Sequence, residues 1–308
     1  MAHGIPERDQ FLPGAALVAI LLSACTSAAA PPNPRPTTSP TTSPSASAEP
    51  IALASPPAPV TASPSVAVVS EPSPLPPTVV RTPPPVTSPP APAGTLPAGL
   101  RGVEWTRLPT SRKVVALTFD AGSMAQGVPS ILDTLAREHV PGTFFLTGRW
   151  VVAYPDLARR IGAIPGDAVG NHTWDHTDLR GLSDAQVRAE IGDGEKWVQA
   201  ETGRPLQPLF RFPYGGSDAR VLGIANSMGY GSIRWTVDTL GWKGTSGGQS
   251  VDTVFNRAVG AAEPGEIVLM HVGAANDGST LDADALGRVI DELRRRGYGF
   301  VTVRDFVQ

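Results

Sequence analysis

The distribution of proline is the feature that most constrains how this 308-residue chain can fold. Residues 31–100 contain 22 of the 33 prolines and only four charged side chains, and most of their other residues are Ser, Thr and Ala. A segment of this composition cannot bury enough apolar surface to offset its conformational entropy. We therefore predict a disordered Pro/Ser/Thr-rich linker over residues 26–105 and a single folded domain over residues 111–308.

The N-terminus has the pattern of an export signal. Residues 11–22 form an apolar stretch that is too short to cross a membrane as a helix, which needs about 20 residues. Residues 22–25 read LSAC and resemble the lipobox of bacterial lipoproteins, and Cys25 is the only cysteine. We predict a signal peptide over residues 1–25 and a lipid on Cys25 that anchors the exported protein to the outer face of the cytoplasmic membrane, at the bacterial cell surface. The alternative is an ordinary signal peptide with a buried or stray cysteine.

Seven short apolar runs alternate with helical patterns in the folded part. The first run, residues 114–119, ends in Asp120, and the chain breaks at Gly122. The further strands are predicted at residues 143–146, 168–170, 209–212, 232–237, 267–270 and 300–303. Strands that alternate with helices in this way are typical of parallel α/β architecture. A barrel of about seven β/α units suits the length of the domain, with an open sheet as the alternative.

Five of the predicted strands end in polar side chains, namely Asp120, His172, Arg211, Asp238 and His271. Taken singly, each has a structural explanation, such as a helix cap or a satisfied histidine. Because the carboxyl ends of parallel strands meet at one rim, however, we expect all five to form one site. Residues 101–308 carry 22 basic and 24 acidic side chains with no basic block, so a nucleic-acid partner is excluded.

Short motifs at these strand ends resemble those of the NodB-type polysaccharide deacetylases, carbohydrate esterase family 4. They are TFDAG at residues 118–122, HTWDH at 172–176, RFPYG at 211–215, DTLGW at 238–242 and LMH at 269–271. The resemblance implies a distorted (β/α)7 barrel of the NodB type. It also implies a metal-dependent hydrolase that removes N-acetyl groups from a cell-wall polysaccharide, above all from the sugars of peptidoglycan. An O-acetyl esterase of xylan-like glycans is an alternative within the same family.

The resemblance further implies a divalent metal, most often zinc. His172 and His176 are four residues apart, so on a helical turn they would share one face and bind one cation. The alternative is that the two rings hydrogen-bond each other. In the family a second aspartate of the first motif is the third ligand, but here that position is Ala121, so weaker metal affinity is expected. Three acids that follow the sixth strand could substitute as ligands: Asp277, Asp282 and Asp284.

The remaining roles also come from the resemblance. Asp120 would be the general base, kept ionised by Arg211, and His271 would be the general acid. The backbone N–H of Tyr214 would face the oxyanion, and its side chain would help to bind the substrate. Trp242 would form a wall against the sugar or the acetyl methyl, although a core tryptophan is the alternative.

A second departure from the family pattern is Gly241. Many members have an acid immediately before the tryptophan, and this acid orients the catalytic histidine. Here the nearest acid is Asp238, so either Asp238 reaches His271 or this histidine has a different partner. A carboxylate beside the ring would raise the pKa of His271. The changes at residues 121 and 241 also motivate a catalytically weakened glycan-binding protein as an alternative, which the retained base, acid and histidines make the weaker hypothesis.

Overall fold

The structure is a computed structural model that describes residues 96–260 and 262–307. The predicted signal peptide, Cys25 and most of the predicted linker lie outside the described residues. Within the described ranges, no helix combines the length and the apolar character that a membrane crossing requires.

Nine strands of the described residues form one sheet in which every strand pairing is parallel. The strands are β1 (Glu104–Trp105), β2 (Val114–Ala121), β3 (Gly142–Leu146), β4 (Ala168–Asn171), β5 (Leu209–Phe210), β6 (Gly231–Ile233), β7 (Val237–Asp238), β8 (Glu266–His271) and β9 (Gly299–Phe300). Their order in the sheet is β1-β6-β5-β4-β3-β2-β8-β7, and β9 pairs with β2.

Helices follow most of these strands, as expected for a β/α chain. They are α1 (Val128–Glu138), α2 (Gly148–Ala153), α3 (Pro155–Gly162), α4 (Asp184–Thr202), α5 (Ala219–Ser227), α6 (Val251–Gly260) and α7 (Leu281–Arg295). The long α4 begins at a capping box, in which Ser183 and Gln186 satisfy each other's backbone N–H groups, and it ends at Gly203 in the left-handed conformation. The predicted distorted (β/α) barrel is confirmed, with more strands than the seven predicted.

The distortion comes from a broken strand. Residues 232–237, predicted as one strand, form β6 and β7 with a break between them. Because β6 lies between β1 and β5 while β7 is the edge strand beside β8, this one segment connects opposite sides of the sheet. The break releases backbone carbonyls, and the side chain of Arg211 binds two of them, those of Ile233 and Arg234, at 3.0 Å each.

The strand β2 is buried along its whole length, and its residues alternate between two clusters. Val115, Leu117 and Phe119 belong to the large cluster under the helices, whereas Ala116 belongs to a second cluster with Ile233 and Ile267. Because side chains two residues apart share a face, Thr118 and Asp120 continue the row of Ala116. The row changes from apolar to polar toward the carboxyl end of the strand, which is where the site lies.

The fold begins earlier in the chain than the sequence predicted. Residues 96–105 were assigned to the linker, yet Leu96 and Leu100 are buried, and β1 pairs with β6 through Trp105 and Ile233. Leu100 packs directly over Gly231, where a Cβ atom would lie 2.7 Å from the leucine Cβ. The linker boundary was predicted from average composition, and a few apolar residues after a proline-rich stretch change that average little. In the folded protein these same residues cover the edge of the sheet.

Candidate active site

An ion pair in the barrel interior positions the predicted general base. Arg211 follows β5 and is fully buried, and its Nη1 donates to Asp120 Oδ1 at 2.7 Å and to the Thr118 hydroxyl at 2.9 Å. Its other donors bind the carbonyls of the strand break described above. A buried ion pair is stable only when its remaining donors are satisfied, and this guanidinium meets that condition. One oxygen of Asp120 is therefore held, and the other is left for chemistry.

The free oxygen of Asp120 faces His172. Nδ1 of His172 lies 2.8 Å from the carbonyl oxygen of Arg211, and because a carbonyl can only accept, Nδ1 carries the hydrogen. Burial lowers the pKa of His172 to about 3, so the ring is neutral at pH 7 and Nε2 has a free lone pair. This Nε2 lies 3.5 Å from Asp120 Oδ2. Two acceptors at that separation form a place for a cation or for a proton donor such as water.

His176 stands beside His172, but not on a helical turn as predicted. Both lie in a loop after β4, in which Thr173 (φ 73°) and His176 (φ 69°) adopt the left-handed conformation. The two rings meet edge to face with centroids 4.8 Å apart, and His176 also contacts the ring of Tyr214 at 4.5 Å. Burial lowers the pKa of His176 to about 4, so this ring is also neutral at pH 7 and has a nitrogen lone pair that could bind a cation. No hydrogen bond joins the two rings among the contacts of the described residues.

Unusual backbone conformations concentrate around these side chains. Of the five non-glycine residues with positive φ in the described chain, one ends α1, and the other four are Thr173, His176, Tyr214 and Leu240. Each such residue costs on the order of 1–3 kcal/mol and persists where the surrounding structure holds it. All four belong to the motifs quoted above, so strain marks the same loops that the motifs do.

The predicted general acid lies on the strand next to Asp120. His271 ends β8, and its Cα is the register partner of Asp120 on β2. Burial lowers the pKa of His271 to about 4, although the Asp120 charge acts in the opposite direction. The expected raised pKa is therefore not found in the free protein, because burial outweighs the carboxylate. The Trp242 ring lies 6.3 Å from the His271 ring and is 41% exposed, so Trp242 is not a core residue.

Asp238 does not reach His271. Its Oδ1 accepts from the Leu240 N–H at 2.8 Å, and its Oδ2 accepts from the Trp242 indole N–H at 3.1 Å. The carboxylate of Asp238 therefore orients Trp242 and does not contact the His271 ring.

The backbone of His271, and not its ring, is bound by Asp282 at the start of α7. Its Oδ2 accepts from the backbone N–H of His271 at 2.8 Å, and its Oδ1 accepts from the Thr239 hydroxyl at 2.6 Å. Asp282 is 2% exposed, and burial raises its pKa to about 7. From the sequence we predicted Asp282 as a metal ligand and did not predict this contact. The glycine at position 241, where the family has an acid, was the one sequence feature that pointed to it.

Comparisons with known proteins agree with this geometry. The model of the polysaccharide deacetylase family matches residues 107–233. A peptidoglycan-N-acetylglucosamine deacetylase of Bacillus cereus is 35% identical over 203 residues, which cover 65% of this chain and 70% of the relative. The peptidoglycan-N-acetylmuramic acid deacetylase PdaA of Bacillus subtilis is 30% identical, over 64% of this chain and 73% of the relative.

The chain belongs to the polysaccharide deacetylase family. A solved structure of a carbohydrate esterase family 4 pseudoenzyme from Bacillus anthracis superposes with a TM-score of 0.61 at 29% identity, covering 68% of this chain and 70% of that one. Membership makes this protein a hydrolase of the deacetylase class. The family is generally metal-dependent, which raises the question of what could hold a metal here.

The deacetylase offers two protein ligands of the usual kind. His172 and His176 are neutral, and the Nδ1–H of His172 donates to a carbonyl, which is the usual support of a metal-bound imidazole. The two imidazoles could hold a divalent cation, whose remaining positions would be filled by water, substrate or Asp120. Ala121 is buried and supplies no ligand, and no group of three or more His, Cys, Asp or Glu side chains suited to a metal occurs in residues 96–260 and 262–307.

The acids suggested as substitute ligands have other partners. Asp277 accepts from the Thr245 hydroxyl and the Ser246 N–H, and so holds the loop before α6. Asp284 accepts from the hydroxyl of Thr280 at the start of α7, and Asp282 lies under His271. Within the part of the chain that the structure describes, none of the three acids joins His172 and His176 in a group suited to a metal, and each has a local hydrogen-bond partner.

Proposed function

We propose that this deacetylase removes N-acetyl groups from the sugars of peptidoglycan, with a divalent cation, zinc, held by His172 and His176. The observation that carries the proposal is the arrangement around Asp120, whose one oxygen is fixed by Arg211 while the other faces His172, with His271 on the neighbouring strand. The relatives named above act on N-acetylglucosamine or N-acetylmuramic acid in peptidoglycan, which supports this substrate class.

The residues divide the hydrolysis of the acetamide between them. Asp120 accepts a proton from the attacking water, whose oxygen forms a bond to the acetyl carbon. A bound cation would polarise the acetyl carbonyl and make the water more acidic. The backbone N–H of Tyr214, a residue with a positive φ of 58°, would donate to the developing oxyanion, as the family resemblance implies. As the C–N bond breaks, His271 would give a proton to the departing amine, and because its ring is neutral in the free protein at pH 7 it must first gain that proton during the reaction. The products are acetate and the free amino sugar.

Substrate contacts are proposed for two exposed aromatic side chains. Tyr214 is 72% exposed and packs on His176, while Trp242 lies beside His271. Each ring thus lies beside a different group of the proposed site: Tyr214 beside a proposed metal ligand and Trp242 beside the proposed general acid. Exposed aromatic rings in such positions suit stacking against the apolar faces of sugars.

The test measures acetate released by the full chain from peptidoglycan, from N-acetylated chito-oligosaccharides and from acetylated xylan. We expect release from the N-acetylated glycans, loss of release with a chelator and recovery with zinc. Asp120→Asn and His271→Ala should each abolish release and leave the fold unchanged. Release that is unaffected by chelation or by both substitutions would refute the proposal, and a preference for acetylated xylan would favour the O-acetyl esterase.

A weakened glycan-binding protein is the second candidate, and Ala121 is the observation that favours it. The similar chain from Bacillus anthracis is described as a pseudoenzyme, which shows that this scaffold can lose activity. Under this hypothesis the chain binds peptidoglycan and releases no acetate, with or without zinc. Ala121→Asp would then bring activity to an inactive parent, whereas under the first proposal the parent is already active.

We also propose that the protein is exported and held at the cell surface by a lipid on Cys25. The apolar run at residues 11–22 and the LSAC sequence that ends it support this. Cys25→Ala should move the protein from the membrane fraction and abolish its labelling with a radioactive fatty acid in a bacterial host. Unchanged membrane association without labelling of the parent would contradict lipidation.

A further inference from the structure

We propose that Asp282 is the positioning residue of His271 and that Gly241 is glycine to make room for it. The proposal rests on the proposed function, since it assumes that His271 donates a proton to the leaving amine. It assigns to helix α7 a task that in the family belongs to the residue before the tryptophan.

The contacts of Asp282 tie together three segments at the carboxyl rim of the barrel. One carboxyl oxygen accepts from the His271 N–H at 2.8 Å, and the other accepts from the Thr239 hydroxyl at 2.6 Å. The end of β8, the segment after β7 and the first turn of α7 therefore share one buried carboxyl group. Because His271 is the last residue of its strand, this contact fixes the backbone from which the ring projects.

The space around Asp282 explains the glycine. A Cβ atom at residue 241 would lie 2.6 Å from Asp282 Oδ1 and closer still to Oδ2 and Cγ. The backbone of Gly241 does not have a positive φ, so the conformation does not require glycine. The carboxyl group of Asp282 thus occupies the volume into which a side chain at residue 241 would extend, and the two positions exclude each other.

A buried acid at this place is not explained by stability. Asp282 is 2% exposed, and both of its hydrogen-bond donors are neutral groups. Burial of a carboxyl group with neutral partners costs free energy that an apolar side chain of similar size would not. Within residues 96–260 and 262–307 the buried Nδ1 of His271 has no hydrogen-bond partner, so Asp282 acts on this histidine through the backbone from which the ring projects.

The first test compares Asp282→Asn and Asp282→Ala with the matched control Asp284→Asn, which changes an exposed acid in the same helical turn. With an N-acetylglucosamine tetramer as substrate, we expect kcat to fall roughly 10- to 100-fold in the Asp282 variants, by analogy with residues that support metal ligands. KM and the control should change by less than about twofold, because Asp282 does not touch the glycan. A parallel change in KM, or unchanged kcat in folded Asp282 variants, would overturn the inference.

The second test moves the acid. In the double variant with Gly241→Asp and Asp282→Ala, the new carboxyl group can enter the volume that the old one leaves, so kcat should recover relative to Asp282→Ala alone. Gly241→Asp alone should unfold at lower temperature, because two carboxyl groups then compete for one space. A folded double variant that is no more active than Asp282→Ala would refute the inference. If His271→Ala keeps wild-type activity, the proposed role of His271 fails instead, so the two failures are distinguishable.

Discussion

Replacing Asp282 by asparagine should change how the stability of the domain depends on pH. Burial raises the pKa of Asp282 to about 7, and the nearby charge of Asp238 acts in the same direction, while the Thr239 hydroxyl and the His271 N–H oppose it. Between about pH 4 and pH 7 the folded state therefore holds a proton that the unfolded state has released. Wild-type stability falls as pH rises through this window, and Asp282→Asn removes that loss.

The size of the effect follows from the shift. An unperturbed aspartate titrates near pH 3.9, so the folded value is about three pH units higher, and each unit corresponds to about 1.36 kcal/mol. Between pH 5 and pH 8 the wild type should lose roughly 2–3 kcal/mol relative to the variant. If asparagine fails to make one of these hydrogen bonds, the free energy of unfolding of the variant is lower by the same amount at every pH. This amount cancels when the difference between variant and wild type is compared at two pH values.

The assay is urea unfolding of the wild type, Asp282→Asn and the control Asp284→Asn at pH 5, 6.5 and 8. As pH rises, the free energy of unfolding of Asp282→Asn should increase relative to that of wild type. The difference between Asp284→Asn and wild type should stay the same at all three pH values. A difference that stays constant from pH 5 to pH 8 would show that Asp282 does not titrate in this range, and the reasoning about its burial would be wrong. A variant that is more stable at pH 8 and less active would identify Asp282 as a group retained for function.

Three further predictions concern the rest of the site. Asp120→Asn should lower kcat by roughly 10²- to 10⁴-fold, as expected for a lost general base, and should also lower the melting temperature because the buried Arg211 loses its charge partner; a loss of kcat below tenfold would exclude Asp120 as the base. Ala121→Asp should tighten zinc binding at least about tenfold in calorimetry by adding a charged ligand, whereas the neutral control Ala121→Asn should not, and equal affinities would exclude residue 121 from the metal shell. Arg211→Lys should destabilise the domain by roughly 3–5 kcal/mol because a lysine cannot satisfy the strand break and Asp120 together; a stable, active variant would contradict that role.

Several parts of the site could be predicted because they depend on local sequence. The apolar run that ends in Asp120 predicts a buried strand with an acid at its tip, and β2 has that form. Strands that alternate with helices predict a parallel sheet whose carboxyl ends meet. His172 and Arg211 were expected at such ends, and the structure places both beside Asp120.

Other parts could not be predicted because they depend on contacts between distant residues. Spacing alone suggested a helical turn for His172 and His176, but the loop is held by bonds from the Trp174 and Asp175 N–H groups to the side chain of Glu190 on α4. The partner of His271 comes from a helix eleven residues further on, across the space that Gly241 leaves open. The strand break between β6 and β7 likewise depends on Arg211, which binds carbonyls 22 and 23 residues away.

The sequence by itself determined the class of fold, the order of the strands along the chain and the residue types at their ends, because hydrophobic periodicity and short motifs are properties of neighbouring residues. Only the tertiary structure decided which acid supports His271 and why residue 241 is glycine. The physical reason is excluded volume: two side chains from separate segments cannot fill the same buried space, and which of them fills it becomes apparent only when the barrel has closed around both.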